Sequence, residues 1–171
     1  MRYSILLFFF FLLPLCQSIA QDKPMNNTQL EEIIKREASK VEGEIGFWQI
    51  IFEERLLFLI TDEANNRMRI FTPIVEEEAV DESEMKKMLI ANFHTALDAK
   101  YSIYNGLVIS VFTHPLGELT ENQFVDAMKQ VTTLADTFGT TYTSTELIFG
   151  GNQGEEEKKV NESPTKSTKK I

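Results

Sequence analysis

The chain has 171 residues, with 17 Lys or Arg against 26 Asp or Glu and a formal net charge of −9 at pH 7. Phosphate recognition relies on clustered Lys and Arg, so an acidic chain without a basic patch is excluded from nucleic-acid binding and repelled by anionic lipid. The one cysteine, Cys16, lies in a segment read below as cleaved, which excludes disulfides, thiol catalysis and cysteine metal sites from what remains.

Residues 1–20 read as a secretory signal peptide. Arg2 supplies a short positive start, Ile5 to Leu15 is an unbroken apolar run, and Ser18-Ile19-Ala20 puts small residues where a signal peptidase reads. Cleavage is expected between Ala20 and Gln21, giving an exported protein, periplasmic or secreted. The run is about 11 residues where a spanning helix needs roughly 20, so no stable membrane insertion is expected after cleavage. Three alternatives are an uncleaved anchor, a buried core helix and a lipid-modified Cys16; Leu15 is larger than the residue such a lipid site normally wants before its cysteine.

Residues 21–27 form a polar leader, and residues 28–149 read as one domain, long enough to bury its own core. Thr28-Gln-Leu-Glu31 is a capping-box pattern, and Leu30, Ile33, Ile34 and Val41 follow helical spacing, predicting a first helix to about Val41. Three strands are predicted next, over Ile45–Glu53, Leu56–Thr61 and Arg67–Val75. Their turns, near Glu54-Arg55 and at Asp62–Asn66, are too short for parallel crossovers.

Asp81 followed by Glu84 marks a second helix start. Met85, Met88, Leu89, Asn92, Phe93, Ala96 and Leu97 then place an apolar face on it. Asn105-Gly106 between two apolar runs predicts a hairpin joining Tyr101–Tyr104 to Leu107–Thr113. Leu119 and the Thr120–Gln123 capping box open a last helix carrying Phe124, Met128, Val131, Ala135 and Phe138, with Gly139 as its stop. Thr140–Phe149 is threonine-rich and fits either a helical turn or an extended arm. Residues 150–171 are charged and poor in apolar side chains, and are expected to be a disordered tail.

The order is α-β(3)-α-β(2)-α. It implies the α+β class: a two-layer domain with an antiparallel five-stranded sheet and helices on one face.

Three stretches carry a resemblance: Lys87–Phe93; Ala99–Ile103 with Asn105–Ile109; and Leu116–Phe124. Within them stand Leu89-Ile-Ala-Asn92, the Asn105-Gly106 hairpin, Pro115-Leu116, and Leu119-Thr120 with Phe124. The pattern resembles the type III secretion chaperone and YbjN-like superfamily over about residues 28–140. The resemblance implies a two-layer domain, often a homodimer, that binds another polypeptide without turnover. Family members that serve injection systems act in the cytosol, and the signal peptide departs from that.

His94 and His114 are the two histidines, and neither stands in a nucleophile, metal or phosphate-loop motif. The acidic runs Glu76–Glu78 and Glu155–Glu157 lack calcium-loop spacing. No catalytic residue, metal or cofactor is expected.

The sheet is more apolar than one buried face requires. In the first predicted strand Gln49 and Glu53 share a side with Phe47 and Ile51; in the third, Arg67 and Arg69 share one with Phe71. With Phe112 of the last strand, Phe47, Ile51 and Phe71 are therefore candidates for an exposed, partner-binding patch. The alternative is a periplasmic small-ligand carrier or sensor with its pocket between sheet and helices.

Overall fold

A computed structural model of the chain describes residues 23–145. The signal peptide, its Ala20–Gln21 junction and the charged tail lie outside the described residues.

The first helix, α1 (Asn27–Glu37), is capped by Asn26, whose side chain accepts from the Gln29 N–H, so it starts ahead of the predicted Thr28 box. It ends four residues before Val41, because Ala38 turns extended. Val41 instead lies in a strand, β1 (Lys40–Glu44), paired antiparallel with β2 (Phe47–Phe52). β1 is an edge strand of mostly exposed polar residues, so it lacks the apolar alternation by which a strand is recognised. The sheet therefore has six strands, one more than expected.

β3 (Arg55–Asp62) and β4 (Arg67–Glu76) continue the meander, and β6 (Leu107–His114) pairs with β4 and with β5 (Lys100–Tyr104). The order across the sheet is β1-β2-β3-β4-β6-β5, antiparallel throughout. The β5–β6 turn is the expected hairpin, with Asn105 and Gly106 at φ 51° and 74°. The β2–β3 turn adopts positive φ at Glu53 (47°) and Glu54 (66°), a conformation that favours Asn-Gly. Glu53→Asn with Glu54→Gly is accordingly expected to raise stability by about 1–2 kcal/mol, read as a higher urea midpoint with unchanged slope.

Two more helices complete the layer. α2 (Glu82–His94) carries the expected capping box of Asp81 and Glu84, and α3 (Glu121–Asp136) that of Thr120 and Gln123. The core joins Leu30, Ile33 and Ile34 of α1 and Phe124, Met128, Val131 and Leu134 of α3 to the inner sheet residues Trp48, Ile50, Leu57, Leu59, Met68, Ile70, Val108 and Phe112. One face of the sheet is thus covered by helices, as the α+β reading required.

α2 departs from its predicted packing. It lies along the β5 edge and buries only Met88 and Ala91, while Leu89 and Phe93 are 71% and 79% exposed. Helical periodicity identifies an apolar face without saying that anything in the same molecule covers it.

Candidate interaction surface

Alternation along the strands decides which side chains reach the uncovered face. In β2, Trp48, Ile50 and Phe52 are buried inward, leaving Phe47, Gln49 and Ile51 outward. Register then places Ile60 opposite Phe47, Phe58 opposite Gln49, Leu56 opposite Ile51, and Phe71 opposite Phe58. Across β4, Phe71 meets Val111 of β6.

The result is an aromatic stripe across the open face. Phe47 and Phe58 have ring centroids 6.3 Å apart, Phe58 stacks on Phe71 at 5.2 Å, and Phe71 meets the edge of Tyr104 at 5.8 Å. Leu56 and Ile60 lie exposed beside it. Arg67 and Arg69 border the stripe on β4. Glu42 and Glu44 of β1, directly opposite Gln49 and Phe47, border it on the other side. Phe47 at 39% and Tyr104 at 52% exposure are large apolar groups in contact with water, the mark of an interaction surface.

Of the four residues expected at this surface, Phe47, Ile51 and Phe71 stand on the outer face. Phe112 does not. It is 6% exposed and faces Ile70 inside the core. Both alternating sides of β6 are largely apolar, so alternation alone does not say which of them is core, and Ser110 on the side of Phe112 does not mark a solvent face. Ser110 is fully buried, opposite buried Thr72. Phe58, Leu56, Ile60 and Tyr104 were missed. The available signal was β3 itself, whose run Leu56–Ile60 is apolar on both alternating faces.

Polar groups finish the edge of the sheet beside the stripe. The Asn92 side chain accepts from the Tyr101 N–H (2.7 Å) and donates to the Tyr101 carbonyl (3.1 Å), replacing a neighbouring strand at that point. Lys100 Nζ donates to the carbonyls of Asn92 (2.7 Å) and Leu97 at the end of α2. Burial lowers its pKa, partly offset by nearby Asp98. The Gln130 Oε1 accepts from the N–H groups of Asp98 and Ala99, tying α3 to the loop after α2.

The Tyr101 hydroxyl is buried and donates to the Leu134 carbonyl at 2.8 Å; burial pushes its pKa well above the ordinary phenol value. The unfolded chain releases this proton near pH 10 and the folded chain holds it. This contribution to stability is therefore full below pH 10 and falls as pH rises further. Tyr101→Phe is expected to cost about 1 kcal/mol at neutral pH and to flatten the stability loss between pH 10 and 11, as read by urea titration.

The Thr140–Phe149 segment is described as far as Thr145. Tyr142 packs against Tyr101 and Phe138, with centroids 5.9 and 5.7 Å away, on the helix side rather than over the stripe. His94 meets the ring of Phe93, and His114 stacks on Phe112 with its Nδ1 at 2.7 Å from the Pro115 carbonyl. Among the described residues, no three His, Cys, Asp or Glu side chains are grouped to hold a metal ion, and no helix is long and apolar enough to cross a membrane.

Two surface concavities, of about 440 and 590 Å³, open to solvent: one by the Glu53–Leu56 turn and Asp136, the other between Pro24–Asn26, Glu63, Asn66 and Leu116–Glu118. The first is also lined by Thr72 and Pro73 of β4, and the side chains of the core cluster pack between sheet and helices.

No family model and no curated protein matches the sequence. Solved structures match by fold. In the HopA1–SchA chaperone–effector complex, a chain is similar with a TM-score of 0.52 and 14% identity, over 65% of this chain and 90% of that one. The Yersinia pestis type III secretion chaperone SycH, solved with a stable fragment of YscM2, gives 0.50 and 12%, over 66% and 98%. The ExsC–ExsE complex also gives 0.50 and 12%, over 66% and 92%. The chain has the fold of the type III secretion chaperones.

Proposed function

We propose that this is an exported, non-catalytic protein that binds another polypeptide across the open face of its sheet. The observation that carries this reading is the Phe47–Phe58–Phe71–Tyr104 stripe, a continuous apolar surface on the face its own helices leave bare. A flat aromatic strip suits an extended segment, whose apolar side chains it desolvates, while Arg67, Arg69, Glu42 and Glu44 offer polar contacts at the border. The similar structures support the reading, because each is a complex of such a fold with a second protein. The Met1–Ala20 segment, read as a signal peptide, supports a site of action outside the cytosol, periplasmic or secreted.

We also propose a homodimer. The apolar side of α2, with Leu89, Ile90 and Phe93 exposed, is the surface through which two copies would associate. It is separate from the stripe, so self-association and partner binding would not compete.

A photo-crosslinking side chain at Phe47 or Ile60 tests the first reading in cells. A discrete adduct of higher mass is expected from the envelope fraction, absent when the probe stands at exposed Ala79. Adducts equal at all three positions, or recovery only from the cytosol with residues 1–20 intact, would count against it.

A further inference from the structure

The register of the sheet lines up four outer-face residues from four consecutive strands. Glu44 of β1 stands opposite Phe47 of β2, Phe47 opposite Ile60 of β3, and Ile60 opposite Arg69 of β4. All four are exposed. The row is thus an anion and a cation separated by two large apolar residues. Neighbouring charges are engaged: Glu42 pairs with Lys40 at 2.7 Å, Arg67 donates to the Asn66 carbonyl at 3.2 Å, and Lys100 is held by carbonyls at the end of α2. Among the described residues, neither Glu44 nor Arg69 has an ion pair or a side-chain hydrogen bond.

Strand spacing puts Glu44 and Arg69 about 14 Å apart, three steps across the sheet. That exceeds the Debye length of about 8 Å at physiological salt, so neither neutralises the other and both stay available to a ligand. We infer that the partner carries a matching row: a Lys or Arg, an apolar residue and an Asp or Glu at alternate positions of an extended segment. Alternate residues of a strand share one face, and i to i+4 spans about 13 Å. The cation then sits over Glu44, the apolar side chain over Phe47 and Ile60, and the anion over Arg69. In a helix the same i and i+4 residues lie about 6 Å apart and cannot reach both ends. A segment with two like charges is repelled at one end of the row.

Such selection rests on the reading that the open face binds a polypeptide, and adds which sequences that face accepts. Exposed ion pairs are individually weak, so the two charges set the preference while Phe47, Phe58 and Ile60 supply the contact area.

Three synthetic peptides, capped at both ends, test this against the full chain by NMR titration at about 0.15 M salt. They are Thr-Lys-Thr-Phe-Thr-Glu-Thr, whose threonines favour an extended backbone, and its Lys/Lys and Glu/Glu forms. The Lys/Glu peptide is expected to bind about fivefold more tightly than either of the others, shifting the amide signals of Phe47 and Ile60. Arg69→Glu should turn the ranking in favour of the Lys/Lys peptide, and Glu44→Lys in favour of the Glu/Glu peptide. Lys129→Glu, the same change of net charge as Arg69→Glu but at an exposed position of α3 on the helix side, should leave the ranking as it is. A ranking unchanged in either folded face variant, or changed equally by Lys129→Glu, would overturn the inference. If all three peptides bind alike and Phe47→Asp abolishes binding, charge selection fails and the polypeptide-binding reading stands. If none of them perturbs the stripe, both fail.

Discussion

Phe112→Asp is expected to unfold the domain, whereas Phe47→Asp, the same change three strands away in the sheet, should leave it folded. Phe112 is 6% exposed and set against Ile70, so its replacement removes a buried aromatic ring and puts a carboxylate in its place. The first effect alone costs about 3–5 kcal/mol. The second adds several more unless the acid is protonated, and together they approach the whole stability of a small domain. At Phe47 the ring is already partly in water. Losing its contact with Phe58 and facing Glu44 across the ladder should cost about 1–2 kcal/mol. Urea denaturation of both variants checks the contrast. A loss of several kcal/mol at Phe47 would mean that the outer face is core after all, and the polypeptide-binding reading would go with it. A folded Phe47→Asp protein should lose its crosslinked partner.

The second large effect is expected at Gly43→Ala, in β1. Gly43 has φ +115°, which L side chains rarely adopt, and a Cβ there would lie 2.3 Å from the Phe47 carbonyl oxygen and 3.0 Å from the Trp48 Cα. Both neighbours are backbone, so neither can rotate away. Strain at such a φ costs about 1–3 kcal/mol and relief of the overlap a similar amount, so about 3 kcal/mol is expected in total. The loss should be local in character: hydrogen exchange at Lys40–Glu44 should accelerate first, because an edge strand is held by pairing on one side only. Gly106→Ala is the matching control. It also has positive φ, at +74°, but nothing lies within 4 Å of a Cβ there, so it should cost only the backbone strain.

Both variants bear on how much of the protein its residues announce. α2 and α3 begin where Asp81 with Glu84 and Thr120 with Gln123 say they must, since a capping box satisfies orphan N–H groups within four residues. The β5–β6 hairpin follows from Asn105-Gly106 for the same reason: positive φ is a property of the two residues themselves. These are local devices, and local sequence contains them in full. Antiparallel connectivity follows too, because short turns allow nothing else. So does the resemblance that led to the secretion-chaperone fold, which the structural similarity shows at 12–14% identity.

Position relative to the rest of the molecule is another matter. β1 exists because β2 offers it a ladder, and its own residues, Lys-Val-Glu-Gly-Glu, carry no apolar alternation to announce it. Phe112 and Phe47 belong to equally apolar strands; which is core depends on the side from which α1 and α3 cover the sheet. Buried Ser110 shows that one polar residue does not settle that side. Leu89 and Phe93 satisfy helical spacing as well as any core residue, yet no element among the described residues comes down on them. The sequence by itself determined the class of the domain, the turns between its expected strands and two of its helix starts. Only the tertiary structure decided which apolar faces meet each other and which stay exposed among the described residues. Burial is a property of pairs of surfaces, and a single strand or helix specifies only one of them.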